Sequence, residues 1–271
     1  MNCELCKFEN PKGSVTGIII KDNKILVLKR NEEPLKGKWD LPGGYMEKEE
    51  TPEYAIRREL NEELGIKNAK LTFIKTIPGT AYWKDYTFPA IVFFYLVDVS
   101  DTNFVLNEEN SELRWIPISD IRPEDIAWDT NQQFISWLKL NLTFDLDRIK
   151  ELVKQLDPDA EVREQVLYQA FLNGHISRVY NGEGKLAGMG WIFIRQTALR
   201  KQAVIEDMIV DEVYRGMGFG KTILDQLIKW AKEQGVEVIE LTTNPKRVAA
   251  HALYEKFGFV IHITDHMLLR L

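Results

Sequence analysis

The sequence predicts two α/β domains in tandem. The chain has 271 residues, which suits two domains of ordinary size, and 45% of them are hydrophobic, enough for two cores. Apolar runs with strand character alternate with amphipathic helical segments in both halves. Each half also has a glycine-rich loop that leads towards a helix, at residues 41–44 and 215–220. We place the domains at residues 1–142 and 143–271, with the boundary near Asn141–Phe144.

In the first half, the apolar pattern predicts a sheet interrupted by one helix. Residues 14–30 predict two strands, with Asp22-Asn23 as the turn between them. The first glycine loop and a helix at about Pro52–Leu64 follow. The later elements are strands near 69–77 and 87–99, a sheet-closing segment at Trp115–Ile118 and a helix at about Thr130–Leu140.

In the second half, two helical segments come before the strands. DLDRIKELVKQL and AEVREQVLYQAFLNG predict helices, separated by a break at Asp157-Pro158. Strands near 176–181, 186–196 and 203–210 lead to the second glycine loop. The apolar side of the next helix is predicted to hold Ile223, Leu224, Leu227, Ile228, Trp230 and Ala231. Only Leu140–Phe144 is available for a strand before the first of these helices.

The helix after the first glycine loop carries three glutamates on one face. Thr51 suits its N-cap, and Gly65 suits the left-handed position at its C-terminus. Glu59 and Glu63 are four residues apart, and Glu62 lies beside them. Neighbouring carboxylates repel one another, and Mg²⁺ relieves that repulsion because it takes oxygen ligands. The competing interpretation is a solvated acidic helix. The buried side is predicted to hold Tyr54, Ala55, Ile56, Leu60 and Leu64.

A longer pattern around this helix supports the metal-binding interpretation. Residues 44–66, GYMEKEETPEYAIRRELNEELGI, fit Gly-x5-Glu-x7-Arg-Glu-U-x-Glu-Glu-x-Gly-U, where U is a bulky aliphatic residue. This stretch resembles the signature of the Nudix hydrolases, which cleave nucleoside diphosphates linked to another group. The resemblance implies an α/β/α sandwich with a mixed sheet and the use of Mg²⁺ or Mn²⁺. The matching residues are Gly44, Glu50, Arg58, Glu59, Leu60, Glu62, Glu63, Gly65 and Ile66.

The resemblance to Nudix hydrolases also implies roles for single residues. The metal ligands it implies are Glu50, Glu59, Glu62 and Glu63, of which Glu62 and Glu63 are also expected to be catalytic. Arg58 is expected to orient a ligand glutamate, and it joins Gly43 and Gly44 as a substrate contact. Family members often use one more glutamate, from a later loop, as base or ligand. Glu112 in SELRWIPI best fits that catalytic place, and Glu108 and Glu109 are the local alternatives.

Substrate choice is expected to depend on segments outside this pattern. Residues Pro78 to Pro89, PGTAYWKDYTFP, predict an aromatic-rich loop. Tyr82, Trp83 and Tyr86 suit stacking on a base or a nicotinamide ring, and the first two are our substrate-binding candidates. The competing interpretation is that these rings belong to an interface or a core. ADP-ribose or a dinucleotide is the substrate we expect.

The second glycine loop predicts a site for an anion. A strand at Ala203–Val210 runs into Arg215-Gly216-Met217-Gly218-Phe219-Gly220, and an amphipathic helix follows. This order points backbone N–H groups and the positive end of the helix dipole at an anion. A Rossmann dinucleotide site is the first alternative. The Arg-x-x-Gly-x-Gly spacing argues against it, as does the lack of a clear βαβ unit with an acidic residue.

The loop and the segment ALYEKFGF further on resemble motifs A and B of the GNAT acyltransferases. The resemblance implies a mixed-sheet α/β fold, acetyl-CoA as cofactor and an amine as acceptor, whose identity stays open. Tyr254 takes the place of the tyrosine that protonates the leaving thiolate, and the competing interpretation is a core tyrosine. The cofactor contacts it implies are Met208, Ile209, Val210, Arg215, Gly216, Met217, Gly218, Phe219, Gly220 and Lys221.

The strand before the loop supplies a candidate base. Glu206 and Asp207 alternate along it, so we expect them to point to opposite faces. We favour Glu206 as the catalytic base that accepts a proton from the amine, directly or through water. His251 and His262 are alternatives that we leave out, because a lone histidine is more often structural.

Composition limits the partners. A net charge of −6 gives no nucleic-acid footprint. The absence of a long apolar run and of a signal-peptide pattern leads us to expect a cytoplasmic enzyme that binds no membrane. Cys3 and Cys6 form half of a zinc knuckle, and the competing interpretation is a mobile terminus. A homodimer stays open.

Three functions are compatible with the two motifs. The first is a bifunctional enzyme that hydrolyses a nucleotide derivative and transfers an acetyl group. The second is a nucleotide sensor that controls an acetyltransferase. The third is a hydrolase with a non-catalytic interaction module. The intact glutamate set disfavours the second, and the intact loop with Tyr254 disfavours the third, so we expect the first.

Overall fold

The computed structural model describes residues 10–83, 86–99, 102–141, 145–263, 267 and 269. It divides into two compact units. Unit 1 is Met1–Leu146 with Arg163–Gln169, and unit 2 is Asp147–Val162 with Ala170–Leu271. Cys3, Cys6 and the expected boundary at 142/143 lie outside the described residues, so those expectations stay predictions. Among the described helices, none combines the length and apolar character that a membrane span needs.

Unit 1 contains two four-stranded sheets. The first has the order β5-β1-β7-β6; β1 and β7 are parallel and the other pairs antiparallel, which makes the sheet mixed. The second joins β2, β3 and β4, with β8 on the other side of β3. The elements are β1 (Lys12–Ile18), β2 (Ile20–Lys21), β3 (Lys24–Arg30), β4 (Trp39–Asp40), β5 (Gly43–Tyr45), α1 (Pro52–Leu64), β6 (Lys70–Trp83), β7 (Tyr86–Asp98), β8 (Asn110–Pro117) and α2 (Asp129–Asn141).

Helix α1 confirms the predicted bounds and caps. The Thr51 hydroxyl accepts a hydrogen bond from the N–H of Tyr54, and Gly65 ends the helix in the left-handed conformation. Ala55, Ile56, Leu60 and Leu64 are buried in a core with residues of the first sheet. The expectation that Tyr54 lies on the buried side of the helix was wrong, because its side chain is 73% exposed. At 100° per residue, Tyr54 lies almost opposite Ile56.

The turn Asp22-Asn23 is confirmed, and both residues have positive φ, as a tight hairpin turn requires. Residues 163–169, which lie far along the chain, contact it. The Glu164 carboxylate accepts hydrogen bonds from the N–H groups of Asp22 and Asn23, the latter at 2.7 Å. The hydroxyl of Tyr168, which is fully buried, lies 3.1 Å from Oδ1 of Asn23. This segment therefore completes unit 1.

The aromatic-rich loop predicted at Pro78–Pro89 was wrong. Strands β6 and β7 continue as one long hairpin, with Pro78 opposite Ile91 and Thr80 opposite Pro89. Positions at the edge of a sheet tolerate proline better than positions paired on both sides. Pro78 lies on the outer strand, and Pro89 precedes Ala90, where pairing of β7 with β1 begins.

Among its described residues, unit 2 has one mixed sheet in the order β12-β11-β10-β9, where β11 and β12 are parallel and the other pairs antiparallel. Helix α5 packs on it through Ile223, Leu224, Leu227 and Ala231, which are buried as predicted. Leu140 and Asn141 end helix α2 instead of starting a strand, and 142–144 lie outside the described residues. The first part of α4 (Glu164–Asn173) belongs to unit 1 and its end to unit 2. The other elements are α3 (Leu146–Leu156), β9 (Gly174–Tyr180), β10 (Leu186–Gln196), β11 (Lys201–Val210), α5 (Phe219–Glu233), β12 (Val238–Leu241) and α6 (Val248–Lys256).

Candidate functional sites

A cleft of about 450 Å³ in unit 1 brings most of the predicted hydrolase residues together. Its floor is formed where β5 passes the glutamate face of α1. We call it the glutamate cleft. Its lining includes Gly43, Gly44, Arg58, Glu59, Glu62, Glu63 and Tyr82 among the predicted residues, and Glu109, which was an alternative to Glu112. It also includes Arg30, Asp40, Asn110, Trp128 and Asn131, which were not predicted as site residues.

The two glycines bring the backbone close to this helix. A Cβ on Gly43 would lie 2.1 Å from the carbonyl oxygen of Val15, and its φ of +146° disfavours side chains. A Cβ on Gly44 would lie 2.5 Å from a carboxylate oxygen of Glu59. Position 43 therefore requires glycine because the backbone of β1 fills the space beside it, whereas a side chain at Gly44 would displace the Glu59 carboxylate.

Arg58 holds the glutamates as a group. Its guanidinium donates to Glu50 at 2.8 and 3.0 Å, to Glu59 at 2.8 Å and to Glu62 at 3.1 Å. The hydrogen bonds from Arg58 lower the pKa of Glu50 to about 2. Glu50 is not among the residues that line the cleft. It therefore lies where it orients Arg58, and its expected role as a metal ligand stays a prediction.

Glu63 is the deepest of the four carboxylates. It is 8% exposed, and it accepts hydrogen bonds from the Gly43 N–H at 2.7 Å and from the Asn110 amide at 3.1 Å. Burial raises its pKa to about 8 despite those two donors. Burial also raises the pKa of Glu59. Two desolvated carboxylates side by side form a site that favours a positive charge.

The donor set fits a hard divalent cation, although its side chains face Arg58. Among the described residues, no three histidine, cysteine or acidic side chains converge closely enough to enclose a metal ion. Glu59, Glu62 and Glu63 nevertheless line one cleft with oxygen donors only, the ligands that Mg²⁺ and Mn²⁺ prefer. A rotation of Glu59 and Glu62 away from Arg58 would be needed.

Glu112, the glutamate expected to reach the site from a later loop, lies outside the cleft. Glu112 is in β8 opposite Lys29, forms ion pairs with Arg114 and Lys29, and does not line the cleft. Glu109, the local alternative, does line it and is close enough to raise the pKa of Glu59. The loop before β8 faces the cleft, whereas alternation along the strand directs Glu112 to its two cations.

A polar and aromatic wall closes the other side of the cleft, and Tyr82 is its one residue that the sequence predicted as a site residue. Asp40 is buried, which raises its pKa, and it accepts hydrogen bonds from Arg30, from the Trp128 indole at 2.8 Å and from the Asn131 amide at 2.8 Å. The Arg30 guanidinium lies 5.0 Å from the centre of the Trp128 ring. The ring of Tyr82 lies nearly parallel to Trp128, with 6.5 Å between centroids. The side chain of Trp83 lies outside the described part of the chain.

Apart from Tyr82, only Asp40 among these wall residues had a signal in the sequence. Asp40 directly precedes the glycine-rich loop 41–44, so its neighbourhood was foreseeable. Trp128 and Asn131 reach the cleft from the start of α2, and only the tertiary fold brings that helix beside β4.

In unit 2, a short turn at 211–214 and the predicted glycine loop lead from β11 to α5, whose first two residues are Phe219 and Gly220. Gly218 caps α5 with φ +88°, a conformation that glycine adopts without strain. The first N–H groups of an α-helix have no intrahelical acceptor and point out of its N-terminus. The loop thus presents backbone donors and the positive end of a 15-residue helix to the same place.

Tyr254 lies beside strand β11. Its hydroxyl is 3.9 Å from the sulfur of Met208, a weak contact that leaves the oxygen able to bond elsewhere. Burial raises its pKa, and the nearby Arg247 opposes that effect. The roles expected of Tyr254 and Met208 stay predictions.

The expected alternation of Glu206 and Asp207 was wrong. A β-bulge lies between the pairs Trp191–Glu206 and Met189–Ile209, and Asp207 has φ +48°. Both carboxylates are exposed, so the bulge makes Asp207 an alternative to Glu206 as the base.

Comparison with known families agrees with this division. A model of the NUDIX domain matches residues 11–138, and a model of the acetyltransferase (GNAT) family matches residues 140–259. The two matches follow one another and cover both sites. The fold of each unit, an α/β arrangement with a mixed sheet, is the one predicted.

Individual relatives match parts of the chain. It is 53% identical over 57 residues to an ADP-ribose pyrophosphatase of Methanocaldococcus jannaschii, covering 21% of this chain and 34% of that protein. It is 38% identical over 128 residues to an RNA pyrophosphohydrolase of Zymomonas mobilis, covering 46% of this chain and 76% of that protein. It is 34% identical over 89 residues to a mycothiol acetyltransferase of Paenarthrobacter aurescens, covering 32% of this chain and 28% of that protein. The chain thus spans about a third of the archaeal relative. It belongs to the NUDIX family through its first half and to the acetyltransferase (GNAT) family through its second.

Proposed function

We propose that this chain is a bifunctional enzyme. Unit 1 hydrolyses a nucleoside diphosphate linked to another moiety, with Mg²⁺ or Mn²⁺, and unit 2 transfers an acetyl group from acetyl-CoA to an amine. The observation that carries the first half is the glutamate cleft, where Glu59, Glu62 and Glu63 lie against the backbone of β5 and Arg58 donates to the first two. Both sites lie within single units, and neither uses a residue of the other.

In the hydrolase reaction, a water oxygen forms a bond to one phosphorus and the bridging P–O bond breaks. Glu59, Glu62 and Glu63 would hold the metal, with Glu50 keeping Arg58 in place beside them. The metal, when bound, polarises the phosphoryl group and lowers the pKa of water. Glu109 replaces Glu112 in the proposal as the carboxylate that orients the water, because it lines the cleft. Gly43 and Gly44 line the cleft and are the proposed backbone contacts of the substrate.

The wall of the cleft supports a substrate with a planar base. Tyr82 and Trp128 offer aromatic faces for a base, and Asp40 holds the Trp128 indole in place through a hydrogen bond. Arg30, which touches both Trp128 and Asp40, adds a cation for phosphate or carbonyl oxygens. ADP-ribose or a dinucleotide has such a base at the end of a diphosphate, and the archaeal relative is named an ADP-ribose pyrophosphatase.

A nucleotide panel tests this half. The full chain is incubated with Mg²⁺ and ADP-ribose, NADH, a dinucleoside polyphosphate or a nucleoside triphosphate, and products are identified by mass spectrometry. Glu63→Gln keeps the size of the side chain but removes a charge from the metal site, so we expect turnover to fall by orders of magnitude, as it does when EDTA removes the metal. Turnover by Glu63→Gln at the wild-type rate would reject the assignment. Binding of a nucleotide without turnover would favour a sensor.

For unit 2, the observation that carries the proposal is the loop 215–220 at the start of α5. The amine nitrogen attacks the acetyl carbonyl carbon, the C–S bond breaks and the thiolate of CoA takes a proton. Tyr254 is the proposed donor of that proton, and Glu206 or Asp207 accepts one from the amine, directly or through water. The Met208–Val210 backbone and Lys221 flank the cofactor in this proposal.

Calorimetry with acetyl-CoA tests this half. Gly218→Asp forces a side chain into a left-handed position and adds a negative charge where the pyrophosphate is expected. We expect binding to be lost in this variant while Gly182→Asp, on an open turn of the same unit, binds as the wild type does. Equal affinity in the Gly218 variant would remove the cofactor from this loop.

A further inference from the structure

A buried ion pair lies directly behind the loop 215–220 of unit 2. Arg148 projects from α3, Asp211 follows the last residue of β11, and their side chains are 6% and 8% exposed. The Arg148 guanidinium donates to the Asp211 carboxylate, to the Leu186 carbonyl at 2.9 Å and to Glu151 at 2.8 Å. The pair thus joins α3, β10 and the end of β11.

Asp211 in turn fixes the chain that enters the loop. Its carboxylate accepts a hydrogen bond from the Val213 N–H at 3.0 Å, and its carbonyl accepts one from the Tyr214 N–H at 2.9 Å. Its own N–H donates to the Ala187 carbonyl at 2.9 Å. Residues 211–214 therefore form a tight turn whose direction depends on the Asp211 side chain.

A second contact from α3 reaches the same turn. The Gln155 side-chain oxygen accepts a hydrogen bond from the Glu212 N–H at 3.1 Å. On the other side, the Asn181 amide donates to the Tyr214 hydroxyl at 2.9 Å, and the Tyr214 ring meets the Phe219 ring edge-on at the start of α5. The turn is therefore held from α3 and from the β9–β10 connection.

Burying two charges is costly, and apolar residues of similar volume often stabilise a fold at least as well. A buried pair at this place has a use that apolar residues lack, because only polar groups can hold the N–H of Val213 and the carbonyl of Leu186 in fixed directions. A loop whose donors already point at the ligand loses less entropy when the ligand binds.

We propose that Arg148 and Asp211 are positioning residues for the acetyl-CoA site, which preorganise the loop 215–220 through the turn at 211–214. The proposal rests on the proposed acetyl-CoA function of that loop. Neither residue is assigned a contact with the cofactor. Their effect is expected on the affinity for the part of acetyl-CoA that the loop binds, its pyrophosphate.

The test is the affinity of Asp211→Asn for two ligands, acetyl-CoA by calorimetry and acetyl-pantetheine, which lacks the pyrophosphate, by NMR titration. Asparagine keeps the shape and still accepts from Val213, but it loses the charge that holds Arg148. We expect acetyl-CoA to bind about tenfold more weakly, which corresponds to about 1.4 kcal/mol, and acetyl-pantetheine to bind as in the wild type. Equal loss for both ligands would mean a general loosening of the unit and would overturn the proposal.

Two further variants keep the test decisive if Asp211→Asn does not fold. Gln155→Ala removes one hydrogen bond at an exposed position, and we expect about a twofold loss of acetyl-CoA affinity. Val179→Ala, in the core of the same unit, is the control: it should lower the unfolding temperature and leave both affinities unchanged. Unchanged acetyl-CoA affinity in both Asp211→Asn, where it folds, and Gln155→Ala refutes the positioning role. A wild type that binds no acetyl-CoA refutes the proposed function instead.

Discussion

Replacing Tyr168 by alanine should destabilise unit 1, although this residue lies beyond the region that the NUDIX family model matches. Tyr168 is fully buried in unit 1, and its hydroxyl lies 3.1 Å from Asn23 and 3.0 Å from Glu164. Glu164 in turn holds the N–H groups of the turn between β2 and β3. The variant therefore removes a packed ring and loosens the acceptor of that turn.

The size of the effect follows from the burial. Truncating a buried aromatic side chain to alanine costs about 3–5 kcal/mol, and the lost hydroxyl contact about 1 kcal/mol within that total. For a unit of this size, each kcal/mol lowers the unfolding temperature by about 2–4 °C. Tyr168→Ala should thus lower it by about 10 °C, and Tyr168→Phe, which loses the hydroxyl alone, by about 3 °C.

Two probes report on unit 1. Nucleotide hydrolysis after heating measures its active fraction, and tryptophan emission follows its unfolding, since Trp39, Trp83, Trp115, Trp128 and Trp137 belong to unit 1 and only Trp191 and Trp230 to unit 2. Tyr180→Ala, a half-exposed tyrosine of unit 2, is the control. An unchanged transition in Tyr168→Ala would show that residues 163–169 do not support this unit, and the reasoning from burial would fail.

Three further outcomes follow from the two sites. Trp128→Ala should raise the KM for the nucleotide about tenfold, because stacking on a base contributes about 1–3 kcal/mol, while Trp128→Phe should retain most of the affinity. Equal KM values in the wild type and both variants would exclude stacking of the base on Trp128. Tyr254→Phe should bind acetyl-CoA normally and lower kcat for acetyl transfer about 10²–10⁴-fold, and a wild-type kcat would make Tyr254 a packing residue. Burial would raise the pKa of Asp211, but hydrogen bonds from Arg148 and the Val213 N–H outweigh it and hold the pKa below its usual 3.8. The ion pair between Arg148 and Asp211 therefore stabilises unit 2 fully above about pH 4, and this stabilisation is lost as the pH falls through the lowered pKa. The unfolding midpoint of Asp211→Asn should therefore fall less in acid than that of the wild type. Parallel curves of midpoint against pH for the two proteins would contradict this.

Local signals in the sequence were enough to predict the elements of both units. The caps Thr51 and Gly65, the hairpin turn at Asp22 and the periodicity of α5 depend on residues close in sequence, and each is confirmed. The errors arise where long-range pairing overrides a local signal. The prolines at 78 and 89 look like loop residues, yet the pairing of β6 with β7 accommodates both.

The candidate site shows the same limit. The glutamates of α1 and the glycines of β5 were foreseen because one continuous segment holds them. Asp40, Trp128 and Asn131 come from separate elements, and no spacing rule relates them before the fold is known. The sequence favoured Glu112 over Glu109 as the later glutamate. The register of β8 decides which of the two faces the cleft, and sequence alone does not give that register.

The assignment of the two sites to different units limits how the two activities can be coupled. Every residue proposed for hydrolysis lies in unit 1, and every residue proposed for acetyl transfer lies in unit 2. No catalytic group is shared, so cutting the chain should not remove one from either site. A cut near residue 142 would still separate Glu164 and Tyr168 from the turn at Asp22 and weaken unit 1. Loss of hydrolysis in a fragment that ends at residue 142 would therefore reflect stability, and its recovery in a longer fragment that includes α4 would distinguish that cause from a nucleotide sensor that depends on the acetyltransferase.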